Sequence, residues 1–290
     1  MRCVDRLKCL GWELVYLLRI KKVSDLEFGF SGWAEKTRAI EAIKEEIDTL
    51  VLGSSHAQMG WWAEGREFNW GLAYEDLYTA YEIYRKWGRG SRVKDIIVFY
   101  SVFSPGDNNV LSPSKGVSVG IKAATGIDWL EERPGMYPQL EGAVWKCRRK
   151  CRRHLKRNKP LPGDLGNERM YLPFKTATAE ERALAHLKGN KRNSKMNVYL
   201  EKLIEDADKV GQKVWIVVPP ASGGYREALK NEKDMFSGVE SFARRYSNTK
   251  LLNHFYDDDF TDDDFIDWDH LNNQGAKKLT SKVRQEMVAI

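Results

Sequence analysis

Cysteine is scarce in this chain: Cys3, Cys9, Cys147 and Cys151 are the four in 290 residues. Thiols so few and so unevenly placed exclude the disulfide framework that staples small secreted domains, and a reduced state is expected. Long apolar runs are missing as well. The best of them, Leu10 to Ile20, is broken by Glu13 and Arg19 and lacks a small-residue cleavage site, so neither a membrane span nor a signal peptide is expected. A cytoplasmic protein is the default expectation, with an amphipathic N-terminal helix suited to core packing, a membrane surface or a partner. Internal repeats are absent, and the one biased tract, Asp257 to Asp264, reads as a solvated acidic loop.

What is present argues for a packed α/β protein. At 42% hydrophobic and 11% aromatic residues, the chain has ample material for a core, which excludes disorder as its main state. The net charge of +6 is local in origin, because nine Lys/Arg and no Asp/Glu lie between Lys146 and Lys159, leaving the remainder slightly negative. With Trp145 beside it, that run is a candidate contact for an anionic polymer, whether phosphate-bearing, acidic glycan or nucleic acid. If helical it would carry charge on nearly every face, which equally suits a projecting solvated arm. Cys147, Cys151 and His154 would share a helical face, but a fourth ligand is missing nearby, so no metal is assigned.

The chain is organised around Asp48 to Gly60. A short apolar run, Leu50 to Leu52, stops at Gly53 and is followed by Ser54, Ser55 and His56, the pattern of a strand ending in a chemically loaded turn before a helix. Further strands are expected at Val93 to Phe99, Lys213 to Val218 and Lys250 to Phe255, with a short segment at Glu67 to Gly71. Helices are expected at Ala34 to Ile47, Tyr74 to Trp87, Ala179 to Leu187, Asn197 to Val210, Tyr225 to Tyr246 with a break near Gly238, and Asn273 to Met287. Strands alternating with helices predict a three-layer α/β/α fold with a mainly parallel sheet. Residues 1–47 read as an N-terminal helical extension and 48–290 as the α/β domain. An irregular insertion at about 111–176 is expected to cap the sheet.

A serine becomes a nucleophile only when a base takes its proton and a third group orients the base. Of the five histidines, His154 lies in the basic run, and His186 has no carboxylate in register on its helix. His254 is three residues from Asp257, but strand geometry would put the two on opposite faces. Asp267 and His270, three apart in a turn before the last helix, can lie on one side of the backbone, with the carboxylate on one imidazole nitrogen and the other nitrogen facing a serine. Trp61, Trp62 and Trp70 lie close to the serines in sequence and suit either stacking on sugar rings or burial against the sheet. Pro219-Pro220 and Gly223-Gly224 close a central strand where a substrate-facing loop is natural.

Gly53-Ser54-Ser55-His56 together with Asp267-x-x-His270-Leu-Asn-x-x-Gly275-Ala276 resembles the SGNH/GDSL hydrolase superfamily, particularly its divergent bacterial branch of envelope and polysaccharide modification. The resemblance spans about Thr49 to Val288 in layout, while its diagnostic residues are those two blocks. It implies a flavodoxin-like three-layer fold, with Ser55 as nucleophile, His270 as general base and Asp267 as orienting acid. Ser54 stands where the name-giving Asp would be, as in proteins similar to those of teichoic-acid D-alanylation. Asn69-x-Gly71 resembles the start of the second block, but Tyr74 stands in place of the oxyanion glycine. The usual Gly-x-Asn-Asp of the third block is missing, and Asn108 and Asn109 are the nearest substitutes for its side-chain donor. The hole is therefore expected from Ser55, Tyr74, Asn108 and Asn109, and substrate contacts from His56, Asn69 and Trp61. The function implied is a serine esterase or O-acyltransferase acting on an acylated carbohydrate or cell-envelope glycan, with no cofactor. The alternatives are a non-catalytic glycan- or phosphate-binding protein on a decayed hydrolase scaffold, and nucleic-acid binding through Lys146 to Lys159.

Overall fold

The computed structural model describes residues 27–107, 109, 117–127, 141–158, 164–167, 177–192 and 195–289. The expected N-terminal segment Leu10 to Ile20 lies outside these residues. By internal contacts the chain forms two compact units. One comprises Met1–Ala42 with Asn108–Asp164, and the other Ile43–Asp107 with Leu165–Ile290.

In the first unit, helix α1 spans Glu27–Ile43. The same unit holds α4, Val117–Thr125, and α5, Glu141–Arg157, which pack against each other. The sequence suggested an irregular insertion here, and a polybasic helix with charge all round. Instead Val144, Cys147 and Cys151 are buried. Their spacing of three and four forms one apolar stripe, and that stripe is what makes α5 a packed helix. Burial pushes the Cys151 thiol up to about 11. His154 Nε2 pairs with Glu35, and Arg38 donates to the Leu155 carbonyl at 3.2 Å. These bonds make the N-terminal helix and the insertion one unit, in place of the separate extension and cap expected from sequence, with the boundary at Asp164.

The second unit is built on five parallel strands. They are β1 (Thr49–Leu52), β2 (Glu67–Asn69), β3 (Asp95–Phe99), β4 (Lys213–Val218) and β5 (Thr249–Asn253), in spatial order β2-β1-β3-β4-β5. Helices lie on both faces, giving the three-layer α/β/α architecture. The strands read as unbroken apolar runs because parallel sheets are buried on both sides. Val51, Ile97, Phe99, Trp215, Val217 and Leu252 form one face, whose core includes Ala57 of α2 (Ser55–Gly60) and Leu279 and Val283 of the last helix. The edge of β2 is covered: Asn69 donates its N–H to the Leu165 carbonyl at 2.9 Å, and Asn167 bonds both ways with the Ala63 backbone at 2.8 Å. Covering an edge in this way removes a template for aggregation.

The helix expected over Tyr74 to Trp87 begins later. Helix α3 is Leu77–Ile83, capped by Asp76, whose side chain accepts from Thr79 N–H at 2.9 Å, and it runs on as a π-helical turn, Tyr84–Gly88. Tyr78, Tyr81 and Tyr84 share the buried face, whereas Tyr74 lies before the helix and is 49% exposed. Helices α6 (Ala179–Arg192) and α7 (Asn197–Asp208) follow. The single helix expected from Tyr225 to Tyr246 is two, α8 (Gly223–Ala228) and α9 (Ser237–Arg245), so the break falls at 229–236 and Gly238 lies inside α9. The last helix, α10, is Asn273–Ala289. Part of the acidic tract is less solvated than its charge suggests. Asp264 is buried, takes part in a capping box with Thr261 and binds Lys278 Nζ at 2.9 Å.

Candidate active site

In an open sheet of this order, the chain leaves β1 in one direction for β2 and returns on its other side for β3. Ligands in such folds sit outside the carboxyl ends of the strands at that reversal. The Gly53-Ser54-Ser55 turn is the carboxyl end of β1. Gly53 has φ 135°, and a Cβ there would meet Phe99 Cβ at 3.0 Å and Phe99 O at 3.1 Å, so the turn requires glycine. Its N–H donates to Glu75 Oε1 at 2.8 Å. Ser54 is the N-cap of α2 and is buried, and Ser55, the first helical residue, is partly exposed.

The other half of the site is a tight loop before α10. Ile266 N–H donates to the His270 carbonyl at 2.8 Å, and Phe265 pairs with Leu271 in an antiparallel bridge. Asp267 and His270 are thereby folded onto one side. Asp267 Oδ1 accepts the backbone N–H groups of Asp269 and His270 at 3.0 and 2.8 Å, and its Oδ2 accepts His270 Nδ1–H at 2.8 Å. With the proton on Nδ1, the lone pair of Nε2 faces Ser55 Oγ at 2.8 Å. The three groups expected from two blocks more than two hundred residues apart stand within hydrogen-bonding distance. Burial raises the Asp267 carboxyl, but the hydrogen bond and charge of His270 outweigh it, and the net shift is downward. Asp267 stays an acceptor that holds the His270 ring with Nε2 toward Ser55.

Tyr74 lies beside this turn, because Leu72 N–H donates to the Gly53 carbonyl at 3.0 Å and Ala73 N–H to Gln58 Oε1 at 2.8 Å. It is the only non-glycine with positive φ among the described residues, at 70°. A tyrosine here holds a backbone conformation that glycine takes at little cost. The N–H groups of Ser55 and Tyr74 donate to no group among the described residues. Of the asparagines expected in the same role, Asn108 lies outside the described residues, and Asn109 is a buried residue of the other unit.

Residues expected to touch substrate are held inside the protein instead. Asn69 is fully buried and donates to the carbonyls of Ala57 and Trp61 at 2.9 and 2.8 Å, while its Oδ1 accepts Gly71 N–H at 2.9 Å. It pins α2 to the loop after β2. Trp61 is buried, packs edge-on against Phe99 and donates its indole N–H to Glu67 at 3.0 Å. Trp70 is buried and stacked on Trp87. His56 is buried too, with its ring tilted against that of His270 at 4.7 Å between centroids.

His56 leads to a group that sequence reasoning missed. Its Nε2–H donates to Asp269 Oδ2 at 2.9 Å. Arg182 of α6 binds the same carboxylate through Nε, and through Nη2 at 3.3 Å. His186, one turn further along α6, brings Nδ1 to 3.6 Å from Asp269 Oδ2 and 2.7 Å from the Tyr225 hydroxyl. His186 thus has the carboxylate neighbour that its own helix lacks. Burial would raise the Asp269 carboxyl, but the His56 hydrogen bond and the surrounding imidazoles hold it well below the ordinary range. Burial dominates at both histidines, lowering His56 and pushing His186 down to about 4. Asp269 Oδ1 is 3.9 Å from His270 Nδ1, so a carboxylate paired with Arg182 stands behind His270. The one available sequence signal was the Asp-x-Asp-His spacing; nothing marked Arg182.

His56, Asp269 and His270 also bring potential metal-ligand atoms within 4.8 Å of one another. The Arg182 guanidinium already on Asp269 opposes a cation there, and His270 Nε2 is already on Ser55. His254 differs from expectation as well: β5 stops at Asn253, so the next residues turn, and His254 Nδ1 bonds Asp257 at 3.0 Å. His254 is buried, and Lys282 binds Asp257 at 2.6 Å. After β3, Phe103 packs against both His56 and His186 rings, at 5.4 and 4.7 Å.

No helix among the described residues is long and apolar enough to cross a membrane. No family model and no curated protein matches the chain. Among solved structures, one from Streptococcus pneumonia provisionally described as a platelet activating factor is similar over 93% of this chain and 97% of that one, at 10% identity and a TM-score of 0.48.

Proposed function

We propose that this chain is a serine esterase or O-acyltransferase of the SGNH/GDSL type. The observation that carries the reading is the unbroken line of hydrogen bonds from Ser55 Oγ to His270 Nε2, and from His270 Nδ1 to Asp267. Ser55 Oγ attacks the ester carbonyl carbon as His270 Nε2 takes its proton, and Asp267 stabilises the imidazolium that results. The oxyanion is received by the N–H groups of Ser55 and Tyr74. Collapse of the tetrahedral intermediate breaks the bond to the alcohol, which leaves with the proton from His270. Water or a sugar hydroxyl then attacks the acyl–Ser55 ester by the same steps in reverse. The acylated carbohydrate or envelope glycan as substrate follows from the two-block resemblance.

Hydrolysis of p-nitrophenyl acetate by the purified chain, lost in Ser55→Ala and in His270→Ala, is the expected result. Turnover that persists unchanged in both variants would remove the triad from the reading. A second reading, a non-catalytic binding protein on a hydrolase scaffold, is favoured by Phe103, which packs an apolar ring against His56 in the loop where the resemblance leads one to expect an asparagine donor. Wild-type protein that is folded, turns over no acyl ester, and still binds glycan would select it.

A further inference from the structure

The exposed side of α5 carries a feature independent of the ester chemistry. Val144, Cys147 and Cys151 point inward, which leaves Trp145, Arg149, Arg152 and Lys156 at spacings of four, three and four on one outward stripe, with Arg153 and Arg157 beside it. At 1.5 Å per residue, Trp145 to Lys156 covers about 16 Å of helix surface. Trp145 is 55% exposed, and the Arg149 guanidinium lies over its ring at 4.8 Å. No Asp or Glu pairs with Arg149, Arg152, Arg153, Lys156 or Arg157 among the described residues; the one ion pair of this helix end is His154 with Glu35, on the inner side. Elsewhere Arg284, Lys282 and Arg245 are each paired with a carboxylate. Five cationic side chains on one exposed face repel one another and make a local positive field that an anionic surface would neutralise.

We propose that this face is a docking surface for an anionic lipid bilayer. The stripe lies on the convex outside of a helix, and a convex row of long cationic side chains meets a plane of phosphate headgroups more fully than a single strand of nucleic acid, which is ordinarily tracked by a groove. An exposed indole at the end of the row is the side chain best suited to the headgroup depth, with its apolar body inward and its N–H in water. Each Lys/Arg held at an anionic surface strengthens binding by roughly fivefold, so the row reaches useful affinity without an inserted helix.

The experiment is co-sedimentation of the full chain with vesicles of phosphatidylglycerol and phosphatidylcholine, with vesicles of phosphatidylcholine alone, and a parallel titration with single-stranded DNA. Binding is expected on the anionic vesicles only, weakening as salt is raised. It should fall on the order of a hundredfold in the triple variant R152Q/R153Q/K156Q, and several-fold in Trp145→Ala. If the triple variant does not fold, the single exposed change Arg152→Glu serves in its place, with circular dichroism confirming its fold. Equal binding to neutral vesicles, no binding to anionic ones, undiminished binding in the variants, or tighter binding to DNA than to vesicles would each overturn the proposal. None of these readouts depends on Ser55.

Discussion

At the scale of single residues, the site depends on which protonation state each group can hold. Asp267 is a buried acceptor, so Asp267→Asn would present its amide donor or a weaker acceptor to His270 Nδ1 and favour the wrong tautomer. A fall in kcat of about 10⁴-fold is expected for Asp267→Asn, and at least as much for Ser55→Ala; the ester assay with active-site titration measures both. Tyr74 makes a separate point. Tyr74 is about half exposed, yet at φ 70° its backbone is that of a glycine. Tyr74→Gly should raise stability by about 1 kcal/mol through relief of the left-handed strain, while keeping the N–H proposed to receive the oxyanion. Thermal melts should show the gain with turnover within a few-fold of wild type. A destabilised variant would mean that the ring's packing outweighs the strain.

Among elements, the decisive contact is between α2 and the loop after β2. A Cβ at Gly71 would stand 2.4 Å from Ala57 Cβ and 2.5 Å from Gln58 N, both in the helix that begins with Ser55. Gly71→Ala should therefore cost more than about 2 kcal/mol and displace Ser55 from His270. Urea unfolding and ester turnover are expected to fall together. The elements also show what kind of local pattern can be read in advance. β1, β3 and β4 were legible because a parallel strand covered on both faces is a plain apolar run. Helix α5 was obscured by its charge, since the few residues that pack it, Val144, Cys147 and Cys151, are outnumbered by lysines and arginines. The α8 to α9 break was misplaced at Gly238 because a glycine suggests an interruption, while here it fits inside α9 with Asn197 Nδ2 at 2.7 Å from where a Cβ would be.

For the whole molecule, the buried polar group behind His270 couples stability to pH. His186 has its pKa lowered from 6.5 to about 4 by burial, so the unfolded chain binds its proton more readily than the folded one. The contribution of His186 to stability is full above about pH 6.5, declines as pH falls through that window, and is lost below about pH 4. At 1.36 kcal/mol per pH unit the loss is about 3 kcal/mol. The measurement is the urea midpoint against pH, and His186→Gln should flatten the slope between pH 6.5 and 4; an unchanged slope would assign it to other groups.

The same molecule divides what is local from what is not. The sequence by itself determined the alternating layers, the turn at Gly53 and the pairing of Asp267 with His270, because backbone periodicity, a glycine-only conformation and a three-residue reach are all set within a few residues. Only the tertiary structure decided that Asn69 and Trp61 are internal supports, that Arg182 and His186 gather on Asp269, and that the N-terminal helix and the insertion make one unit. Those outcomes depend on which distant side chains share a desolvated space, and the cost of burying a charge or an amide unpaired is felt only when the chain has closed around it.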